Sequence, residues 1–233
     1  SFMHYKTNAE ATGFALMFYY DLWQKPLADY KFKSIQEALN YVRNTSIFRK
    51  EILDIVQWMT LNINQKTAEI NLDYEMPLEL HAKYSRDQIL AAFGKHTVDK
   101  KYSSREGVLK IKEKNTELLF VTLDKSEGAF SPTTNYEDYA ISEKIFHWQS
   151  QNSAKPESGA GLSYINHKSE EKQILLFVRE KTKDRYKMTM PFHFFGPVNY
   201  IRHSGAKPMS IQWEMQHNLP AFLWEQAAKL AHG

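Results

Sequence analysis

Cysteine is absent from all 233 residues. That excludes a disulfide framework, any Cys-ligated zinc site and a thiol nucleophile. Long apolar runs are missing as well. The longest, Phe14 to Tyr20, is seven residues, against the roughly 20 that a membrane-spanning helix requires. No basic stretch followed by an apolar one opens the chain, so no secretory signal is expected. Charge of one sign is not in large excess: 30 Lys and Arg face 27 Asp and Glu, and a net +3 names no partner by itself. What is present is 42% hydrophobic residues and 14% aromatics, where a disordered chain lacks the apolar surface to offset its entropy. The length suits one large domain or two small ones. The expectation is a soluble, cytoplasmic protein with no membrane partner, or a piece of one, with Ser1-Phe2-Met3 reading as a remnant ahead of an excised fragment.

Catalytic signatures are equally scarce. The phosphate-loop pattern Gly-x-x-x-x-Gly-Lys-Ser/Thr does not occur, nor do His-Glu-x-x-His, an EF-hand loop or Gly-x-Ser-x-Gly. The nine histidines are scattered without ligand spacing. No catalytic residue, metal site or cofactor is therefore expected in this chain.

Charge and periodicity divide the sequence. Residues 1–76 carry eight basic and nine acidic side chains, and residues 77–233 carry 22 and 18. Lys155 to Lys207 alone holds ten basic and five acidic residues. Ile35, Ala38, Leu39 and Val42 fall at helical spacing behind a Ser34/Glu37 capping box. Phe48, Ile52, Ile55, Val56 and Met59 form a second helical stripe, and Ala11 to Gln24 a third helix. Pro77 to Lys83 reads as a short strand, followed by a helix with a Ser85/Gln88 capping box and Gly94 at its end. Strands are then expected at Val108–Glu113 and Glu117–Leu123, as a hairpin, and at Ile145–Ser150, Ile174–Glu180, Met188–Phe195 and Pro208–Gln216. In the last, Met209, Ile211, Trp213 and Met215 alternate with polar residues, the pattern of a sheet with one wet face. Pro220 to His232 closes the chain as a helix. The fold class is α+β: a helical N-terminal layer (1–76), then a mostly antiparallel, barrel-like β domain (77–233) with a C-terminal helix.

Two partial motifs have simple structural readings. His81-Ala82-Lys83 with Asp87 resembles in part the His-x-Lys…Asp of phospholipase-D-like nucleases, but the Asp is one residue early and only one copy exists. A strand entering a capped helix explains it, with Asp87 favouring the helix N-terminus. Glu157 with Glu170-Glu171-Lys172 before an apolar strand has the composition of a Mg²⁺-dependent restriction-type nuclease site. A charged turn ahead of a strand explains that one.

Longer strings carry a resemblance. They are Leu80-His81-Ala82-Lys83-Tyr84-Ser85-Arg86-Asp87, Leu119-Phe120-Val121-Thr122-Leu123-Asp124-Lys125, Phe130-Ser131-Pro132-Thr133-Thr134-Asn135-Tyr136-Glu137-Asp138-Tyr139-Ala140-Ile141-Ser142 and Phe146-His147-Trp148-Gln149-Ser150-Gln151. Tyr164-Ile165-Asn166-His167, Leu175-Leu176-Phe177-Val178-Arg179-Glu180, Phe195-Gly196-Pro197-Val198 and Lys207-Pro208-Met209-Ser210-Ile211 follow in order. Together they resemble the bacterial domain-of-unknown-function family numbered thirty-four twenty-seven. The resemblance implies a position C-terminal to a DEAD/DEAH-type helicase, often with a phospholipase-D-like nuclease domain in the same polypeptide, in restriction or phage defence. It implies a nucleic-acid setting and no mechanism for this domain.

Within that setting, Tyr136, Tyr139, Trp148 and Tyr164 lie among Gln149, Ser150, Gln151, Asn166 and His167. Aromatic planes stack bases, and amides and hydroxyls read their edges, including a base taken out of the helix. Lys155, Lys168, Lys172, Arg179, Lys181, Lys183, Arg185, Lys187, Arg202 and Lys207 supply a phosphate-binding rim. The leading expectation is a DNA-binding specificity module sensing a modified or flipped base. It requires Trp148, Tyr164 and His167 to line a basic cleft. The alternatives are a protein-interaction module that docks the helicase core or a partner, and a Mg²⁺-dependent nuclease.

Overall fold

Local signals fix the helices. In the computed structural model, which describes residues 9–62, 70, 72–124 and 138–229, helices α1 (Ala9–Trp23), α2 (Ile35–Asn44) and α3 (Ser46–Asn62) open the chain. The Ser34 hydroxyl accepts the Glu37 N–H, and the Glu37 carboxylate accepts the N–H of Lys33 rather than of Ser34. A two-residue strand, β1 (Lys83–Tyr84), and helix α4 (Arg86–Ala92) follow. Ser85 and Gln88 make the full reciprocal capping box of α4, satisfying two N–H groups the first turn leaves unpaired. Gly94 ends that turn at φ +69°, a conformation that costs other residues more.

The chain divides into two compact units, 1–68 with 73–104, and 69–72 with 105–233. The composition boundary at 76/77 falls inside the first, because α4 belongs with α1. Gln88 Nε2 donates to Asp21 Oδ2 at 2.6 Å, and the Tyr20 hydroxyl donates to the Thr97 carbonyl at 2.6 Å. Asp87 then explains the His-x-Lys…Asp near-match: its oxygens hold His96 Nε2 at 3.2 Å and Lys101 Nζ at 2.6 Å. Helix α3 forms where its stripe predicts, but its burial stops early. Phe48 and Ile52 are half-buried, whereas Ile47, Leu53, Ile55, Val56, Met59 and Leu61 are exposed.

In the second unit seven strands run in the order β2-β3-β6-β7-β8-β5-β4. They are β2 (Val108–Ile111), β3 (Thr116–Thr122), β4 (Tyr139–Ala140), β5 (Ile145–Gln149), β6 (Gln173–Arg179), β7 (Phe192–Ser204) and β8 (Ser210–Met215). Only the β3–β6 pair is parallel along this path. Residues 118–121 and 174–178 are buried without alternation, as central strands covered on both faces are. One face packs Leu119, Val121, Leu176 and Val178 into the main core, and the other carries Phe120, Phe177 and Phe194 in stacked contact.

Strand β7 differs most from expectation. It was expected to end at Phe195, yet it runs 13 residues to Ser204. Its first half pairs with β6 and its second with β8, so the sheet bends along it. Gly196 sits near the change at φ +95°, next to a register shift opposite Leu176/Phe177. A glycine supplies that backbone without a Cβ penalty. Helix α5 (Gly159–Ile165) precedes β6, and α6 (Ala221–Lys229) buries Leu223 and Ala227 against the main core. The protein is α+β.

Candidate nucleic-acid interface

Alternation along β5 and β8 sorts the expected site residues onto opposite faces. Phe146 and Trp148 point inward with Ile211, Trp213 and Met215, while His147, Gln149, Gln212 and Glu214 remain half-exposed. Trp148 is only 5% exposed and meets Tyr164 edge-on at 5.3 Å. Tyr164 is fully buried; its hydroxyl donates to Gln151 Oε1 at 3.1 Å, and burial pushes its pKa up. His167 is buried too. Its Nδ1–H donates to the Lys172 carbonyl at 3.1 Å, and Nε2 accepts the Tyr200 N–H at 3.0 Å. Burial lowers its pKa, favouring the neutral ring.

These three side chains are therefore core, and the cleft they were expected to line is not an open surface. Ser150 is buried as well. It closes β5 against β8, its hydroxyl accepting the Met209 N–H at 2.9 Å and its own N–H reaching the Met209 carbonyl. Gln151 serves Tyr164, and Asn166 forms the C-cap of α5. The segment 152–163 is tied down, the Lys207 N–H donating to the Ala154 carbonyl at 2.9 Å. A Cβ on Gly161 would meet the Lys155 carbonyl oxygen at 2.2 Å and Met209 Sδ at 2.5 Å, so only glycine fits. Arg179 donates to Thr122 Oγ1 at 2.9 Å and lies 4.4 Å over the Phe192 ring. Those contacts hold it on the sheet instead of a phosphate rim. Tyr136 lies outside the described residues.

The outward face assembles a different set. Register places Tyr139 opposite His147, His147 opposite Gln212 and Gln212 opposite Arg202, a straight row across β4, β5, β8 and β7. The Tyr139 and His147 rings are stacked, 4.9 Å and 23° apart. Arg202 Nε donates to Gln212 Oε1 at 2.9 Å. A second row sets Gln149 opposite Ser210 and Ser210 opposite Ser204. His147, Arg202, His203, Ser204, Ser210 and Gln212 line a depression of about 350 Å³. The Tyr200 hydroxyl, whose pKa burial raises, meets His203 Nδ1 at 2.5 Å. Of the expected residues, Tyr139, Gln149 and Arg202 belong to this face. His147 and Gln212 were missed, although the alternation of β8 already marked Gln212 as outward.

Lys183 and Arg185 are exposed in the β6–β7 connection, apart from the residues that line the depression. The Glu170-x-Lys172 motif is drawn together with a buried acid on β3. Lys172 Nζ lies 3.3 Å from Glu117 Oε1 and 3.1 Å from Glu170 Oε2, and it donates to the Ser163 hydroxyl. The hydrogen bond from Lys172 holds the Glu170 carboxyl below its ordinary range. An ammonium thus sits between the two carboxylates and ties the α5–β6 turn to β3. Glu157 is exposed in the turn before α5. Among the described residues no group of three His, Asp or Glu side chains has metal-holding geometry, and no helix is long and apolar enough to cross a membrane.

Residues 78–227 match the family described as Domain of unknown function (DUF3427). The match spans more than half of the chain, which belongs to this family. No curated protein matches the sequence. Two solved structures share a partial likeness. Arabidopsis thaliana SUVH6 in complex with SAM is 12% identical at a TM-score of 0.38, covering 76% of this chain and 33% of that one. KRYPTONITE in complex with mCHG DNA and SAH is 8% identical at a TM-score of 0.40, covering 90% and 44%. The chain thus spans less than half the length of either, and at these scores the likeness assigns neither fold nor function.

Proposed function

We propose that the β-rich unit is a DNA-recognition module that binds without catalysing, and that it reads a modified or flipped base on the outer face of β4, β5, β8 and β7. The row Tyr139–His147–Gln212–Arg202 carries this reading. It offers a stacked aromatic pair, an amide and a guanidinium in line, beside a depression of about 350 Å³. Stacking, edge hydrogen bonds and a phosphate contact are the three elements such recognition combines. In the polypeptide that the family resemblance implies, the module directs a helicase and a nuclease domain in restriction or phage defence. Fluorescence anisotropy with single-stranded, duplex and modified-base DNA tests it. The expected result is salt-dependent binding that His147→Ala weakens about tenfold, the scale of one good base contact; no binding at low salt to any of the three overturns it.

One observation favours a second activity in the other unit. The exposed Leu53, Ile55, Val56, Met59 and Leu61 on α3 make an apolar surface of the kind that docks proteins. On this reading the helical unit holds the helicase core or a partner while the β unit meets DNA. Co-purification with the motor fragment after nuclease treatment supports it, and retention of that complex by a Leu53→Glu, Val56→Glu double variant argues against it.

A further inference from the structure

The β6–β7 connection is exposed yet ordered. Its geometry follows from one carboxylate: Asp184 Oδ1 accepts the N–H groups of Tyr186 at 2.8 Å and Met188 at 2.9 Å. The Asp184 N–H reaches the Met188 carbonyl, the Lys187 N–H reaches the Asp184 carbonyl, and Lys183 bridges Thr189. Lys187 adopts φ +65° to close the tip. The result is a short finger whose backbone is held from within, leaving its side chains outward.

Those side chains are unusual for a solvated turn. Lys181, Lys183, Arg185 and Lys187 oppose a single acid, Asp184. Between them Tyr186 is 69% exposed and Met188 67% exposed. The Arg185 guanidinium lies 4.7 Å from the Tyr186 ring centre, so one ring face is covered by a cation. A base approaching the other face would complete a guanidinium–phenol–base sandwich. Large apolar side chains at a cationic tip match the chemistry of wedges that enter base steps, with cations on phosphates and the wedge between bases.

We propose that residues 181–189 form a DNA wedge, in which Lys183, Arg185 and Lys187 contact phosphates while Tyr186, backed by Met188, enters and unstacks a base step of duplex DNA. It borrows from the reading above only the identity of the polymer. The surface is separate from the row around Arg202.

The test is a short duplex carrying 2-aminopurine, titrated with the whole chain. Binding by the native protein is expected to raise 2-aminopurine fluorescence as the base unstacks. Tyr186→Ala keeps salt-dependent binding but loses that rise, and Tyr186→Trp restores it. The Arg185→Glu, Lys187→Glu double variant lowers the slope of log affinity against log salt by about 0.9 for each lost phosphate contact. Binding without any fluorescence rise, or an undiminished rise in Tyr186→Ala, overturns the wedge. If Arg202→Ala leaves affinity unchanged while Tyr186→Ala abolishes the rise, the wedge stands and the outer-face reading falls. Absence of duplex binding by the native chain overturns the wedge whatever the single-stranded result.

Discussion

Arg202 and Gln212 face each other across β7 and β8, with Arg202 Nε donating to Gln212 Oε1 at 2.9 Å. The register shift between Tyr200 and Arg202 creates this pairing, because a bulge re-aims the following side chain onto the outer face. With its oxygen engaged, the Gln212 amide presents its N–H donors, and the guanidinium keeps its terminal nitrogens for a phosphate. Arg202→Ala is expected to weaken DNA binding about tenfold and to reduce the salt slope by about 0.9. Urea unfolding should shift by less than about 0.5 kcal/mol, since the side chain is exposed. An unchanged affinity would remove Arg202 from the interface.

The buried aromatics behave in the opposite way. Trp148→Ala removes a side chain packed on Tyr164 and Trp213, and is expected to cost about 3–5 kcal/mol in a urea titration. Any loss of DNA binding should then track the unfolded fraction and vanish under stabilising conditions. Tyr164→Phe removes only the hydroxyl bonded to Gln151, a loss of about 1 kcal/mol.

That contrast explains which parts of the site were legible in the sequence. The Ser85/Gln88 capping box, the Ser34 half of the other one and the alternation in β8 are local, and they appear in the fold. The string His147-Trp148-Gln149-Ser150-Gln151 looked like one cluster because its residues are adjacent. A strand sends adjacent side chains to opposite faces, so Trp148 and Ser150 went to the interior and His147 and Gln149 outward. The expected strand Met188–Phe195 stops just ahead of Gly196-Pro197, two residues that weaken ladders. Here they lie at the bend of a strand that changes partners, and the missing half of β7 carries Arg202 and His203. Pairing register, which no local pattern supplies, is what put Tyr139, His147, Gln212 and Arg202 in line.

Histidine 167 makes the β unit sensitive to mild acid. Its Nε2 accepts the Tyr200 N–H, so a proton there would face a donor, and burial already lowers the pKa of the ring. Because the folded pKa lies below the unfolded value of about 6.5, the unfolded chain binds more protons in that range. Stability is fully present above about pH 6.5 and falls as pH drops towards the folded pKa. Urea midpoints measured across this range should decline in the native protein and less steeply in His167→Gln. Parallel curves would exclude His167 as the cause.

Asp87 sets a second, more acidic window in the helical unit. The hydrogen bond from His96, joined by Lys101 at 2.6 Å, holds its pKa at about 2 despite partial desolvation. His96 Nδ1 accepts the Tyr102 N–H, which leaves the ring proton on Nε2 to meet the carboxylate. A depressed folded pKa gives stability that is present above the unfolded value of about 3.9 and lost as pH falls through about 2. The Asp87 side chain is 36% exposed, so solvent screening reduces the contribution to about 1 kcal/mol. Asp87→Asn is therefore expected to lower stability by about that amount at neutral pH and to converge with the native protein in strong acid. Unfolding of the helical unit followed by hydrogen exchange of the 95–102 segment checks it; a deficit that persists unchanged at the acid end would mean lost packing, not lost charge.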